Sequence, residues 1–182
     1  MQPSPRIFSA CSRSLWPRPT PQGGFTLIEL MFSIVILVIL ITLAAPSLRD
    51  IVRDQRVKTA TFDVYASLVF ARSEAIKRNA PVAICITSGT DWAGGWTVKT
   101  TDCTNASLKT QDAVNALSIT GPVSPLIYQG DGRLSAAPTF VVKSAEPDTN
   151  TTITARCVRV TLSGRPNVQV DTNKDASDGC QS

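Results

Sequence analysis

A long apolar run near the start of the chain dominates its pattern of hydrophobic and polar positions. Residues 25–45 read FTLIELMFSIVILVILITLAA, in which Leu, Ile and Val predominate and glycine and proline are absent. As a helix, the run would rise about 31 Å, which matches the ~30 Å hydrocarbon core of a bilayer. The pattern therefore predicts a transmembrane helix over 25–45, with a single carboxylate, Glu29, near its start.

A second helical pattern follows immediately. Between 57 and 76 the apolar residues recur mostly at spacings of three or four, which is the period of an amphipathic helix. Pro46 is expected to kink or interrupt the helix between the two patterns, and Pro81 is expected to end it. We therefore predict an amphipathic helix over 46–80 that continues into a globular domain. The residues of its apolar face are Val57, Ala60, Val64, Leu68, Ala71, Ala75 and Ile76.

After Pro81 the pattern changes to short stretches separated by turns. PVAICIT, GGWTVKT, PTFVVKS and TITARCVRVTL are rich in β-branched and aromatic residues, whereas sequences such as QGDGR and SGRPN are typical of turns. A long helix followed only by strands indicates an α+β fold, with an antiparallel sheet packed on the helix. Residues 81–182 are therefore predicted to be a β-sheet domain.

The distribution of charge and the absence of histidine narrow the function. The net charge is +4, but Arg6, Arg13 and Arg18 precede the apolar run, so that 15 basic residues face 14 acidic ones in 25–182. Because the charges nearly balance, they indicate no large basic surface that would bind a polyanion. Because the chain has no histidine, it contains no Ser-His-Asp or Cys-His catalytic centre and no His-ligated metal. We predict a protein that is not an enzyme and uses no cofactor.

The cysteines indicate the compartment. Cys11 precedes the apolar run, whereas Cys85, Cys103, Cys157 and Cys180 follow it. Four cysteines in a small exported domain indicate two disulfides with three possible pairings, of which pairing between neighbours gives 85–103 and 157–180. Zinc is less favoured because no CxxC pair is present. Basic residues flank the run on both sides and leave its orientation open, so the disulfides decide it: the C-terminal domain lies outside the cytoplasm.

A cleaved secretory signal peptide is the alternative interpretation of the apolar run. Such a peptide has an apolar core of about 7–15 residues followed by small residues at the cleavage site. Here the run is longer and carries Glu29, and Pro46 directly follows the two alanines at which cleavage would be expected. A retained membrane helix therefore fits the sequence better.

The start of the run resembles a known processing signal. GGFTLIEL, residues 23–30, resembles the class III signal of type IV prepilins and type II secretion pseudopilins. The resemblance implies a leader peptide over 1–24, prepilin peptidase cleavage between Gly24 and Phe25, and N-methylation of Phe25. It also implies that Glu29 meets the terminal amine of a neighbouring subunit during assembly, rather than only snorkelling to the membrane surface. The leader differs from the commonest pattern in its length and in the position of Arg18.

The rest of the chain resembles one group within that family. ARSEAIKRNAPVAIC, DWAGGW, QGDGRL and CVRVTLSGRPNV are similar to stretches of the GspH/FimT group of minor pilins and pseudopilins, which includes FimU-like subunits. The resemblance implies a pilin fold and a non-catalytic minor pilin that enters, and helps to prime, a type IV pilus. The alternative that it leaves open is the pseudopilin H of a type II secretion system.

The same resemblance implies a location and a set of partners. It places the chain in the inner membrane as a single-pass protein with a periplasmic C-terminal domain, which later joins a periplasmic or extracellular filament. The implied partners are other pilins or pseudopilins of that filament, the prepilin peptidase and the assembly platform of the inner membrane.

DNA binding is a further alternative. Some relatives in the group bind DNA through a Gly-Arg-x-Arg turn, and here residues 164–167 read GRPN, so that only the first arginine, Arg165, is present. Arg156 and Arg159 are three positions apart on a predicted strand, which places them on opposite sides. Because phosphate binding needs several clustered cations, a solvated Arg165 is favoured over a DNA contact.

Two other features have both a structural and a ligand-binding interpretation. Trp92 and Trp96 flank a glycine turn and are predicted to cap the core of the sheet rather than to bind a sugar or a base. The tail has oxygen ligands at 171, 173, 175 and 178, as in a calcium loop, but Ala176 and Ser182 occupy positions where an EF-hand needs glycine and glutamate. No metal site is therefore predicted.

Overall fold

The N-terminal half of the structure is built around one long helix. The computed structural model describes residues 24–145, 154–173 and 180, and for 43–47 it describes the backbone alone. The chain divides into two compact units, 1–42 and 43–182. Helix α1 (Leu27–Arg78) begins in the first unit and ends in the second. The helix continues through Pro46, so of the kink or interruption predicted there the interruption is wrong, and the kink stays a prediction.

The C-terminal end of α1 is set by local sequence. Asn79 adopts a left-handed φ of 49°, and the N–H of Ala80 donates to the carbonyl of Ala75 at 3.2 Å. This bond is the 6→1 bond of a Schellman motif, in which asparagine is one of the residues that tolerate the left-handed position. Pro81 then prevents the helix from continuing. The predicted end of the helix at this proline is confirmed.

One face of α1 packs into the globular domain. Six of the seven residues of the predicted apolar face have between 0% and 3% of their surface exposed, so the amphipathic pattern is confirmed. The seventh, Ile76, is 49% exposed and lies outside the buried face. Thr61 is buried on this side and satisfies its hydroxyl by donating to the carbonyl of Val57 at 2.7 Å. The six buried residues are Val57, Ala60, Val64, Leu68, Ala71 and Ala75.

The strands form two four-stranded sheets instead of the single predicted sheet. They are β1 (Val82–Ile86), β2 (Trp96–Thr100), β3 (Ser107–Gln111), β4 (Leu117–Thr120), β5 (Leu126–Tyr128), β6 (Thr139–Ser144), β7 (Arg156–Val160) and β8 (Pro166–Val170). The first sheet has the order β3-β2-β1-β5 and the second the order β4-β6-β7-β8, with antiparallel pairing throughout. The predicted α+β class is confirmed, although β3, β4, β5 and β8 lie in stretches where the sequence predicted no strand.

The larger of two hydrophobic clusters joins α1 to both sheets. It includes Trp96 from the first sheet and Phe140 and Val158 from the second. Trp92, on the short 3₁₀ helix Trp92–Gly94, contacts Phe140 edge to face, with ring centroids 5.0 Å apart and planes at 79°. Because Trp92 and Trp96 are only 2% and 1% exposed, the prediction that both belong to the core is confirmed.

Candidate functional site

Three residues precede α1 at the N-terminal end of the described chain. Gly24, Phe25 and Thr26 are non-helical and exposed, and Phe25 exposes 83% of its surface. Thr26 Oγ1 accepts the N–H of Glu29 at 3.3 Å, and the Thr26 carbonyl accepts the N–H of Leu30 at 3.1 Å. Thr26 is therefore the N-cap of α1, a role that the sequence analysis missed although Thr-x-x-Glu is the pattern of a capping box.

Glu29 lies in the first turn of α1 and is exposed in the isolated chain. At this position the positive end of the helix dipole stabilises an anionic side chain. The Ser33 hydroxyl donates to the carbonyl of Glu29 at 2.8 Å, so the backbone of Glu29 has partners at both its N–H and its carbonyl. The role of its carboxylate in assembly stays a prediction.

The apolar side chains that follow Glu29 are exposed in the isolated chain. Between Leu30 and Ile41, each large apolar side chain exposes between 50% and 64% of its surface. A contiguous apolar surface of this length marks a region that other protein or lipid covers. Across residues 24–145, 154–173 and 180, no helix meets the combined requirement of length and apolarity for crossing a membrane.

The turn before Trp92 contains a hydrogen-bond centre that the sequence analysis missed. Asp91 Oδ1 accepts the N–H groups of Ala93 and Ile119, each at 2.9 Å, and Oδ2 accepts the hydroxyl of Ser118 at 3.1 Å. Asp91 thereby caps the 3₁₀ helix and fastens it to β4. An aspartate before a short helix is a recognisable N-cap, but the bond to Ile119 spans 28 residues and leaves no local pattern.

Two glycine turns meet beside α1. Gly132 and Gly164 have left-handed φ values of 76° and 77°, and a Cβ at Gly164 would overlap the carbonyl oxygen of Gly132. Arg72 of α1 donates through Nε to that same carbonyl at 3.2 Å. The Tyr128 hydroxyl donates to the carbonyl of Gly164 at 3.3 Å, and burial raises the pKa of Tyr128 above its usual value. The two turns therefore form a packed junction on the helix.

Arg165 lies exposed in the second of these turns. Its backbone N–H donates to Thr161 Oγ1 at 3.3 Å, and its carbonyl accepts the N–H of Thr161 at 3.1 Å. Arg156 and Arg159 are half-buried on β7, where their odd spacing places them on opposite faces of the strand. The interpretation of Arg165 as a solvated side chain stays a prediction.

Two disulfides fasten the sheets. Cys85 of β1 is bonded to Cys103, with Cα atoms 5.8 Å apart, and Cys157 of β7 is bonded to Cys180, with Cα atoms 6.0 Å apart. The paired residues are separated by 18 and 23 positions in the sequence. Cys85, Cys157 and Cys180 are almost fully buried, whereas Cys103 is half-buried.

Removing the first disulfide is expected to destabilise the domain. In a Cys85→Ala/Cys103→Ala variant, the free energy of unfolding should fall by about 3 kcal/mol, because the bond restricts the unfolded chain over a loop of this length. Urea unfolding of the mature protein in detergent measures the change. Val123→Ala is the control, because Val123 exposes 91% of its surface and lies outside the strands, and its stability should match that of the wild type. A double variant as stable as the wild type would show that the bond adds nothing to native stability.

The described residues contain no metal centre. Among them, no group of three or more His, Cys, Asp or Glu side chains lies close enough to hold an ion. Of the tail residues compared with a calcium loop, Asp171 is buried and Asn173 is exposed. Positions 175 and 178 lie outside the described residues, so the calcium comparison stays untested.

An open groove of ≈ 580 Å³ lies between α1 and the connection from β3 to β4. Its charged lining residues are Asp63, Asp112 and Arg56. Because the chain has no histidine and the residues lining the groove include no cysteine, the groove lacks a nucleophile paired with a histidine base.

Comparison with protein-family models identifies two parts of the chain. Residues 60–164 match the model described as type II transport protein GspH, which covers more than half of the sequence. Residues 20–45 match the model of the prokaryotic N-terminal methylation motif, a range that includes Gly24, Phe25 and Glu29. A search of curated proteins finds no match.

The fold is similar to that of solved minor pilins. The type IV minor pilin FimU of Pseudomonas aeruginosa matches with a TM-score of 0.56 and 21% identity, over 70% of this chain and 96% of that one. A second crystal form of FimU gives a TM-score of 0.54 and 22% identity, over 68% and 99% of the two chains. The minor pseudopilin EpsH from the type 2 secretion system of Vibrio cholerae gives 0.49 and 13%, over 64% and 98%. The likeness to FimU confirms the predicted pilin fold.

Proposed function

This chain belongs to the GspH family, and we propose that it is a non-catalytic minor pilin, which enters a type IV pilus and helps to prime its assembly. The observation that carries the proposal is the apolar helix, whose large side chains from Leu30 to Ile41 are each at least half exposed in the isolated chain. Such a surface requires apolar surroundings. For a filament subunit, the bilayer supplies them before assembly and the helices of neighbouring subunits supply them afterwards.

A second apolar surface on α1 supports packing against other subunits. Phe62, Val69 and Ile76 follow one another at intervals of seven residues and expose 63%, 41% and 49% of their surfaces. This interval places them along one side of the helix, away from the buried face, and it is the repeat found where helices pack side by side. Neighbouring helices would therefore cover this part of α1 as well.

Processing of the N-terminus is the next part of the proposal. The chain is made as an inner-membrane prepilin with its C-terminal domain in the periplasm, and a prepilin peptidase cleaves between Gly24 and Phe25 and methylates Phe25. The exposed, non-helical backbone ahead of α1 supports access of a peptidase to this bond. Glu29 then pairs with the terminal amine of a neighbouring subunit, because an ionised carboxylate buried among helices needs a partner.

A pseudopilin of the type II secretion system is the second candidate function. The description of the matching family names a type II transport protein, which favours this candidate. Both candidates use the same processing and the same helix packing, so they differ in the filament that receives the subunit. Loss of surface pili after deletion of the protein supports the pilus, whereas loss of protein secretion with intact pili supports the pseudopilus.

Intact-mass measurement on protein extracted from membranes of the native host tests the processing. The expected mass is that of residues 25–182 with one added methyl group, and reduction should add two hydrogens for each disulfide. The same species should then be found in sheared and purified filaments. An uncleaved chain, or a processed chain that enters neither kind of filament, would contradict the proposal.

A further inference from the structure

We infer that Thr26 positions the peptide bond between Gly24 and Phe25 for cleavage, by fixing the residue at which α1 begins. The inference rests on the proposed function, because it concerns the processing step of the proposed prepilin. Thr26 is a positioning residue in this account: it acts through the backbone conformation of the two residues before it, and not on the reacting atoms.

The capping contacts keep the scissile bond outside the helix. Residues 24–26 are non-helical and α1 begins at Leu27, directly after the threonine whose Oγ1 holds the N–H of Glu29. An N-cap residue has non-helical backbone angles while its carbonyl already accepts the first helical bond, here from Leu30. Whenever the cap is formed, therefore, the Gly24–Phe25 bond lies in the non-helical segment.

In this conformation the bond is open to a peptidase. A Cβ placed on Gly24 would meet no described atom within 4 Å, and Phe25 is 83% exposed. Hydrolysis adds one water across the bond: the C–N bond breaks, Gly24 keeps the carboxylate and Phe25 gains the amine. A peptidase has to surround the peptide plane to do this, and a helix blocks that approach with its own hydrogen bonds and side chains.

Loss of the Thr26 hydroxyl would move the start of the helix. Valine offers no acceptor in place of the hydroxyl, so the N–H of Glu29 loses its capping partner. The chain can satisfy the N–H of Glu29 by extending α1 toward the N-terminus, where the carbonyl of Phe25 becomes its acceptor. That extension draws the Gly24–Phe25 bond toward the helix and slows cleavage.

The test measures the rate of cleavage of the full chain in membranes that contain a prepilin peptidase, by pulse labelling. Thr26→Val removes the hydroxyl but keeps the size and the branched Cβ, whereas Thr26→Ser keeps the capping oxygen. Thr42→Val is the matched control, because the Thr42 hydroxyl donates to the carbonyl of Ile39 at 2.8 Å inside the same helix and caps nothing.

Thr26→Val should slow cleavage by about 3- to 30-fold, the factor that corresponds to a lost N-cap, while Thr26→Ser and Thr42→Val should stay within about twofold of the wild type. Equal amounts of inserted precursor in all four chains separate this effect from a general loss of structure. Wild-type or faster cleavage of Thr26→Val overturns the inference, as does equal slowing of Thr26→Ser or Thr42→Val. A wild-type chain that is not cleaved at all overturns the proposed function, and the inference with it.

Discussion

Replacing Glu29 with alanine should give a chain that enters the membrane and is cleaved, but that fails to join the filament. Glu29 is the one acidic residue in 25–45, so the variant loses the carboxylate that would pair with a neighbour's amine. Alanine keeps the backbone N–H that Thr26 caps, so processing should continue. Removing one partner of a buried ion pair costs about 3–5 kcal/mol, which corresponds to a loss of at least about 100-fold in assembled subunit.

Quantitative immunoblots of sheared filaments, normalised to the processed subunit in the membrane, measure this effect. Glu74→Ala is the control on the same helix: Arg78 donates to Glu74 at 2.7 Å and holds the pKa of that carboxyl below its usual value. An i,i+4 ion pair on a helix adds little stability, so the control should assemble normally. Glu29→Gln should fail like alanine if charge is the requirement. Normal incorporation of Glu29→Ala would remove the proposed role of the carboxylate.

Replacing Asp91 with alanine should lower the free energy of unfolding of the domain by about 4 kcal/mol. The carboxylate accepts three hydrogen bonds, and two of them come from backbone N–H groups that alanine leaves without this acceptor. Hydrogen bonds to a charged group contribute about 1.5–3 kcal/mol each, and the half-buried position of Asp91 reduces their sum. The expected loss therefore exceeds that for either disulfide.

Urea unfolding of the mature chain in detergent, followed by tryptophan fluorescence, measures the loss directly. Trp92 and Trp96 are the two tryptophans of residues 25–182, and both lie close to Asp91 in sequence. Asp91→Asn keeps one acceptor oxygen and should lose about half as much, while the exposed Asp112→Ala should change stability by less than about 0.5 kcal/mol. A loss in Asp91→Ala no larger than that of Asp112→Ala would contradict the assignment.

The helix could be predicted from sequence because its determinants are local. Six buried residues at regular spacing identified the packed face, and Pro81 identified the end. Short strands without an apolar pattern could not be predicted from the sequence. Strand β3, for example, reads SLKTQ, and each of its residues is exposed or half-buried. The division into two sheets depends on which strands pair across long separations, and no local pattern encodes that choice.

In the candidate site, too, some residues could be predicted from a local motif and others only from the folded structure. Gly24, Phe25 and Glu29 could be named from a contiguous motif, and that segment also matches a family model. Thr26 belongs to the same motif, yet its role became visible only from the 3.3 Å contact with the N–H of Glu29. Two of the three donors to Asp91 lie more than twenty positions away, so only the folded chain brings them to the carboxylate.

Asp91 also affects whether the edge of strand β4 can pair with a strand of another molecule. Among the strands of the described residues, β4 lies at the edge of the second sheet and pairs with β6 alone. The Asp91 carboxylate occupies the N–H of Ile119 on the open side of β4. An exposed strand edge recruits strands from other molecules, and a carboxylate that blocks its donors prevents this. With this donor occupied, β4 is a poorer template for pairing with a strand of another molecule.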